Sequence, residues 1–181
     1  MSGDPNILWD KLCELFRDEN DGPLPEMHLR DVPAGSAEPI WDRLLEGAKF
    51  AQADATVWLT GDDRDVAAND VDNLAGRAEA NEISSMHIVL SNVSAEGVPL
   101  PDLGVSIYPG EVTIDYRVNE WSPATVSAFV SLLLELQALA PGSQVIAADE
   151  AGRPCDDAAQ QALAWALDRK RLSRADDTPH S

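Results

Sequence analysis

Cysteine occurs only twice in these 181 residues, and histidine and lysine three times each. Two isolated cysteines, Cys13 and Cys155, cannot build a disulfide framework. Cys13 sits in a helix-like apolar run and reads as a small core residue. The histidines, His28, His87 and His180, stand far apart, and none is spaced against a second histidine or a cysteine as a zinc site requires. Neither Gly-x-Gly-x-x-Gly nor Gly-x-x-x-x-Gly-Lys occurs, so no loop is built to cradle the phosphates of a nucleotide. No metal and no cofactor are expected. No apolar run approaches the roughly 18 residues of a membrane-spanning helix. Met1 to Pro5 carries neither the basic nor the apolar stretch of a secretory signal, which points to a cytoplasmic protein with no membrane contact.

Acid is what the chain has in excess. Thirty-two Asp and Glu oppose thirteen Lys and Arg, for a formal net charge of −19. Residues 1–80 carry 18 acids and 7 bases, and residues 81–181 carry 14 and 6, so no single tail holds the excess. A surface of this sign repels nucleic-acid phosphates and anionic lipid, so direct binding of either is not expected. It attracts basic proteins and speeds their association. Apolar residues make up 44% of the chain and include five Trp, enough for a packed core rather than disorder. The expected organisation is an N-terminal helical segment over 1–50 packed on a main domain at 51–174, with a flexible tail at 175–181.

Local patterns supply the elements. Asp4-Pro5 caps and starts a helix that carries Leu8, Leu12, Leu15 and Phe16 on one side. Glu19 to Gly35 holds three Pro and two Gly and reads as a loop. Ser36 opens a second helix bearing Ile40, Trp41, Leu44, Leu45 and Ala48. Ala55 to Thr60 reads as a strand that runs into an acidic loop at Gly61 to Asp65, followed by a short helix or irregular stretch at 70–81. Ser85 to Ser91 alternates as a strand does. Val105 and Ile107, then Pro109-Gly110, then Val112, Ile114 and Tyr116 spell a hairpin around a type II-like turn. Ser122-Pro123 opens a long helix with Val126, Phe129, Val130, Leu133, Leu136 and Leu139 as its buried stripe, stopped by Pro141-Gly142. Gln144 to Ala148 is a strand, and Asp156 or Asp157 caps a last helix through about Leu172. The fold class is α+β: an antiparallel sheet of about four to five strands with helices packed mainly on one face. The other face is left as a binding surface.

The acidic run Asp62 to Asp72 invites a calcium reading, since Asp63 and Asp65 match the first two ligand positions of an EF-hand loop. Ala67, Ala68 and Leu74 then stand where a ligand, a Gly and a bidentate Glu are needed, so the reading fails. His87 with Ser84, Ser85 and Asp115 sketches a Ser-His-Asp triad, but no Gly-x-Ser-x-Gly elbow accompanies it. Basic residues from Arg169 to Arg174 complement the negative end of the last helix. Tyr116-Arg117 through Trp121 holds the residue types that most often anchor protein interfaces. No catalytic residue is assigned. The candidate contacts for a partner are Asp62, Asp63, Asp65, Asp70 and Asp72, the acids from Asp18 to Asp21, and Tyr116, Arg117 and Trp121.

The segment Gly110-Glu111-Val112-Thr113-Ile114-Asp115-Tyr116-Arg117, continuing through Trp121-Ser122-Pro123 and the leucine-rich helix, resembles small acidic immunity proteins that accompany bacterial polymorphic and secreted toxins. The resemblance spans at most residues 83–148, lies in the pattern of the segment, and assigns no individual residue a role. It implies a cytoplasmic protein that neutralises a cognate toxin by occluding its active site, and the charge suits a basic toxin. Three other readings stand beside it: a small hydrolase using carboxylates or His87, a DNA mimic, and a salt-adapted housekeeping domain.

Overall fold

The computed structural model describes residues 4–17, 24–84, 86–149 and 151–176. Asp4 caps α1 (Pro5–Phe16) by accepting the Asn6 N–H, and Leu8, Leu12 and Phe16 turn inward. Strand β1 is Glu26–Arg30, followed by α2 (Ala37–Leu45), β2 (Lys49–Phe50), β3 (Thr56–Leu59), β4 (Arg64–Ala67) and α3 (Leu74–Glu79). Then come β5 (Ile88–Ser91), β6 (Ser94–Ala95), β7 (Val98–Pro99), β8 (Leu103–Tyr108), β9 (Glu111–Tyr116), α4 (Pro123–Leu139), β10 (Gln144–Ala148) and α5 (Asp157–Asp176). Six strands form one antiparallel sheet in the order β10-β1-β9-β8-β5-β2, so the fold is α+β. Two two-stranded ribbons, β3-β4 and β6-β7, lie outside it.

The register separates the sheet into two chemically distinct faces. Cross-strand partners share a face, and Ala147, Met27, Ile114 and Val105 form one row, with Val145, Leu29, Val112 and Ile107 beside it. That face joins the helices in one core. The opposite face carries Glu26, His28, Arg30, Glu111, Thr113, Asp115 and Ser106. The β8–β9 turn forms as expected, because Gly110 adopts φ 77° after Pro109.

Helix α4 is the central piece. Ser122 and Thr125 close a capping box at its start. Every residue from Val126 to Leu134 is buried, rather than the single stripe the spacing predicts, and Leu139 is exposed. A helix apolar all round needs cover on every side, and α1 and α5 supply it together with α2 and the β6–β7 ribbon.

Three expectations are corrected. The loop expected over 19–35 contains β1, which pairs with β9 on one side and β10 on the other. Its sheet neighbours come from far along the chain, so the Pro and Gly around it mark the ends of a strand. A boundary at residue 50 would therefore cut strands out of the sheet that 51–174 was expected to form alone. The expected acidic loop at Gly61 to Asp65 is the tip and return of a hairpin, in which Arg64 and Asp65 belong to β4.

Replacing Leu133, fully buried in α4, with Ala should cost about 2–5 kcal/mol of unfolding free energy in urea titration. Leu172→Ala, at a side chain 69% exposed, should stay within about 0.5 kcal/mol. Equal losses at both sites would contradict the core described here.

Candidate functional site

The β3–β4 ribbon gathers the acids singled out in the sequence. Strand β3 alternates: Val57 and Leu59 turn into the core, while Thr56 and Trp58 turn out. The chain reverses at Asp62 and Asp63, with Asp63 in the left-handed region at φ 50°. Asp65 then lies directly across from Trp58. Trp58 is 37% exposed, a large aromatic surface on the outside of an acidic hairpin. Asp62, Asp63, Asp65, Asp70 and Asp72 are all exposed. Only Asp62 has an ion-pair partner among the described residues, Arg64 at 3.4 Å. Asp62, Asp65 and Asp70 line one side groove of about 500 Å³ with Val66, Val71 and Arg77.

The aromatic anchors expected at 116–121 are not on the surface. Tyr116 is 1% exposed and Trp121 8%. Their rings stack with Phe16 and Phe129, with centroids 4.8–6.1 Å from Phe16. The Tyr116 hydroxyl donates to the Leu15 carbonyl, and burial pushes its ionisation far up. Trp121 Nε1 donates to the Arg117 carbonyl. Arg117 alone of the three is exposed. The correction has a physical cause: a strand–helix junction between two apolar layers buries whatever large rings it carries. Asp18, Glu19 and Asp21 lie outside the described residues, as do Ser85 and His180. Sequence reasoning overlooked Trp58, although the alternation Val57-Trp58-Leu59 already points it away from its buried neighbours.

The polar sheet face is a second arrangement. His28 is 5% exposed and lies between two carboxylates, with Nδ1 2.6 Å from Glu111 and Nε2 2.6 Å from Glu26. Both ring nitrogens are thus engaged by carboxyl groups from two strands. Arg30 stands 3.7 Å from the other Glu111 oxygen. Next to this group, His87 Nε2 lies 2.8 Å from Asp115 Oδ2. The residue opposite Asp115 is Gly104, where a Cβ would collide with the Asp115 carboxylate. Glycine therefore opens the path by which Asp115 reaches across β8 to His87. The hydrogen bond to Asp115 raises the His87 pKa above its ordinary value, against the smaller opposing effect of burial.

The chemistry of this face is limited. The triad sketched from the sequence keeps its His87–Asp115 pair, but no hydroxyl or thiol bonds either histidine among the described residues. Nor do three metal-binding side chains converge there or elsewhere among the described residues. No helix among them is long and apolar enough to cross a membrane.

The basic cluster on α5 is occupied internally. Lys170 is buried and donates to Glu96 at 2.9 Å, and Arg174 donates to Glu135 at 2.7 Å. Glu135 also binds Arg43. Burial works against ionisation of Glu96, but hydrogen bonds from Lys170 and Ser131 outweigh it and hold the carboxyl below its usual range.

Comparison of the chain with protein-family models, with curated proteins and with solved structures finds no match.

The raised His87 pKa sets a pH dependence. A group whose folded pKa is raised stabilises fully below its unfolded pKa, near 6.5, and loses that contribution as pH climbs through the folded value. Asp115→Asn should therefore lower the His87 NMR titration midpoint and cost stability at pH 5.5 but not at pH 8.5. Gly104→Ala should lower the same midpoint by displacing Asp115. With His87 half exposed, the stability effect should stay below about 1 kcal/mol. An unmoved midpoint in Asp115→Asn would show that the pair does not form.

Proposed function

We propose that this protein is an acidic protein-binding module, an immunity or inhibitor protein that acts in the cytoplasm and neutralises a basic toxin by occluding its active site. The observation that carries the reading is the β3–β4 ribbon, where an exposed Trp58 sits across from Asp65 beside acids of which only Asp62 has a cationic partner among the described residues. A desolvated aromatic anchor with complementary charge around it is the usual composition of an energetic interface centre. The acids steer a basic partner to the ribbon, and Trp58 supplies apolar area once it arrives.

Two further features support it. Arg43 of α2 and Lys170 and Arg174 of α5 are tied to Glu96 and Glu135, so they do not neutralise the ribbon. The His87–Asp115 pair lies on the sheet face with His87 half exposed and no nucleophile bonded to it among the described residues, which favours a binder over a hydrolase.

The test is stopped-flow association with a basic toxin encoded beside this gene, or, where no such gene adjoins it, with a basic protein captured from the native host. The on-rate should fall as salt rises, and Asp62→Lys/Asp63→Lys/Asp65→Lys together should lower it at least about fivefold at low salt. Trp58→Ala should act instead on dissociation, raising the off-rate at least about tenfold. An on-rate indifferent to both salt and charge reversal would sink the reading.

A further inference from the structure

Among the described residues, strand β4 has a strand partner on one side only. The Ala68 N–H donates to the Ala55 carbonyl at 2.8 Å. In an antiparallel ladder, bonded and non-bonded pairs alternate. Pairs 57–66 and 59–64 therefore face each other with their hydrogen-bonding groups, while 56–67 and 58–65 do not. The N–H and C=O groups of Asp65 and Ala67 thus point away from β3. Among the described residues no group bonds the Asp65 N–H and C=O or the Ala67 N–H, whereas the Ala67 C=O opens the 3-10 turn Ala68–Asp70. Beside this edge runs the groove of about 500 Å³, with Val66 and Val71 as apolar wall, Asp62, Asp65 and Asp70 as acids, and Arg64 and Arg77 tied to Asp62 and Glu82.

We infer that β4 is a strand-addition site: the basic partner inserts an extended segment that pairs with Asp65 and Ala67 and turns the ribbon into a three-stranded sheet. The inference deepens the basic-partner reading and rests on it. Main-chain bonds supply affinity in this mode, and alternate side chains supply selectivity. The side chains of β4 dictate the incoming pattern. Residues of the segment on the Trp58 and Asp65 face are Lys or Arg, because opposite charges across a strand pair stabilise it. Those on the Val66 face are apolar, because Val66 and Val71 line that side of the groove. The segment is thus alternating basic and apolar. Strands add at a spacing of about 4.8 Å, and a groove of about 500 Å³ holds a segment of a few residues.

Ala67 offers a clean probe of the edge. Its φ of −62° and ψ of 128° are those a proline adopts. Val66 before it is in a strand, as the residue preceding proline should be. Ala67→Pro therefore deletes one outward N–H without touching the β3–β4 ladder, and circular dichroism checks that the fold is kept. The ligand is a fluorescein-labelled octapeptide of alternating arginine and valine, followed by fluorescence polarisation at near-physiological salt. Two N-methylated versions, one at residues 3 and 5 and one at residues 4 and 6, carry the same charge and differ only in which amides are blocked.

The expected result is that one methylated set binds at least about tenfold more weakly than the other, since only one set faces β4. Ala67→Pro should weaken the unmodified peptide at least about fivefold. The Asp65 and Ala67 amides should gain protection from hydrogen exchange when peptide is bound. Equal loss for both methylated sets, with Ala67→Pro neutral and the ribbon charge reversals still slowing the protein partner, would overturn strand addition and leave the basic-partner reading standing. Failure of both the peptide and the protein partner to respond to the charge reversals would overturn the two together. A concentration-dependent dimer that Ala67→Pro abolishes, with no peptide bound, would replace the partner by a second copy of the chain and overturn the proposal as stated.

Discussion

Four aromatic rings hold the architecture together: Phe16 from α1, Tyr116 from the end of β9, Trp121 from the following turn and Phe129 from α4. Each pair is in stacked, tilted or edge contact, geometries that add to the area the rings bury. The polar atoms at their margins are satisfied by backbone, Tyr116 through Leu15 and Trp121 through Arg117, so the cluster carries no unpaired group into the core. The cluster fixes α1 over α4 and closes the sheet to the helices at one end. With every apolar side of α4 covered in this way, the helices lie on one face of the sheet, and the other is left to His28, His87 and their carboxylates.

That division shapes the charge as well. The few cations are needed where helices meet: Arg43 on α2, and Lys170 and Arg174 on α5, converge on Glu135 and Glu96. A buried lysine without a partner would be costly, so Lys170 and Glu96 require each other. Drawing these cations inward leaves Arg64 as the one ion-pair partner of the ribbon acids among the described residues. The local acidity of β3–β4 therefore follows partly from where the helices place the bases, and not only from the excess of Asp and Glu.

Elements defined by near neighbours were legible in the sequence. Ser122-Pro123 announces α4, Pro109-Gly110 announces the β8–β9 hairpin, and Asp4-Pro5 announces α1, because caps and turns depend on a few adjacent residues. Strand β1 was not legible. It offers only two alternating apolar residues, Met27 and Leu29, amid prolines, and it is held by β9 and β10 about a hundred residues away. The candidate contacts divide the same way. The ribbon acids are exposed because a short polar hairpin has no core to enter. Tyr116 and Trp121 have the composition of an interface anchor and the same composition as a core, and only the arrival of Phe16 decides between them. His28 between its two glutamates is another long-range product, since Glu111 comes from a different strand.

The edges of the sheets show why β4 stands apart. An uncovered strand edge invites pairing with other chains, and proteins commonly block it. The outer edge of β10 is blocked: Gln160 of α5 lays its amide against the Ala147 N–H and C=O, and the Cys155 N–H bonds the same carbonyl. At the opposite end, β2 is only two residues long. Strand β3 is flanked by β4 and by the bridge between Leu59 and Ile83. Among the described strands of four residues or more, β4 alone keeps one side without a strand or a capping side chain. Its guard is electrostatic, the acids at 62, 63, 65 and 70, which repel a second acidic chain and admit a basic one. A charge barrier that discriminates by sign is also a selectivity device, and here it flanks the open edge, with Asp65 belonging to both.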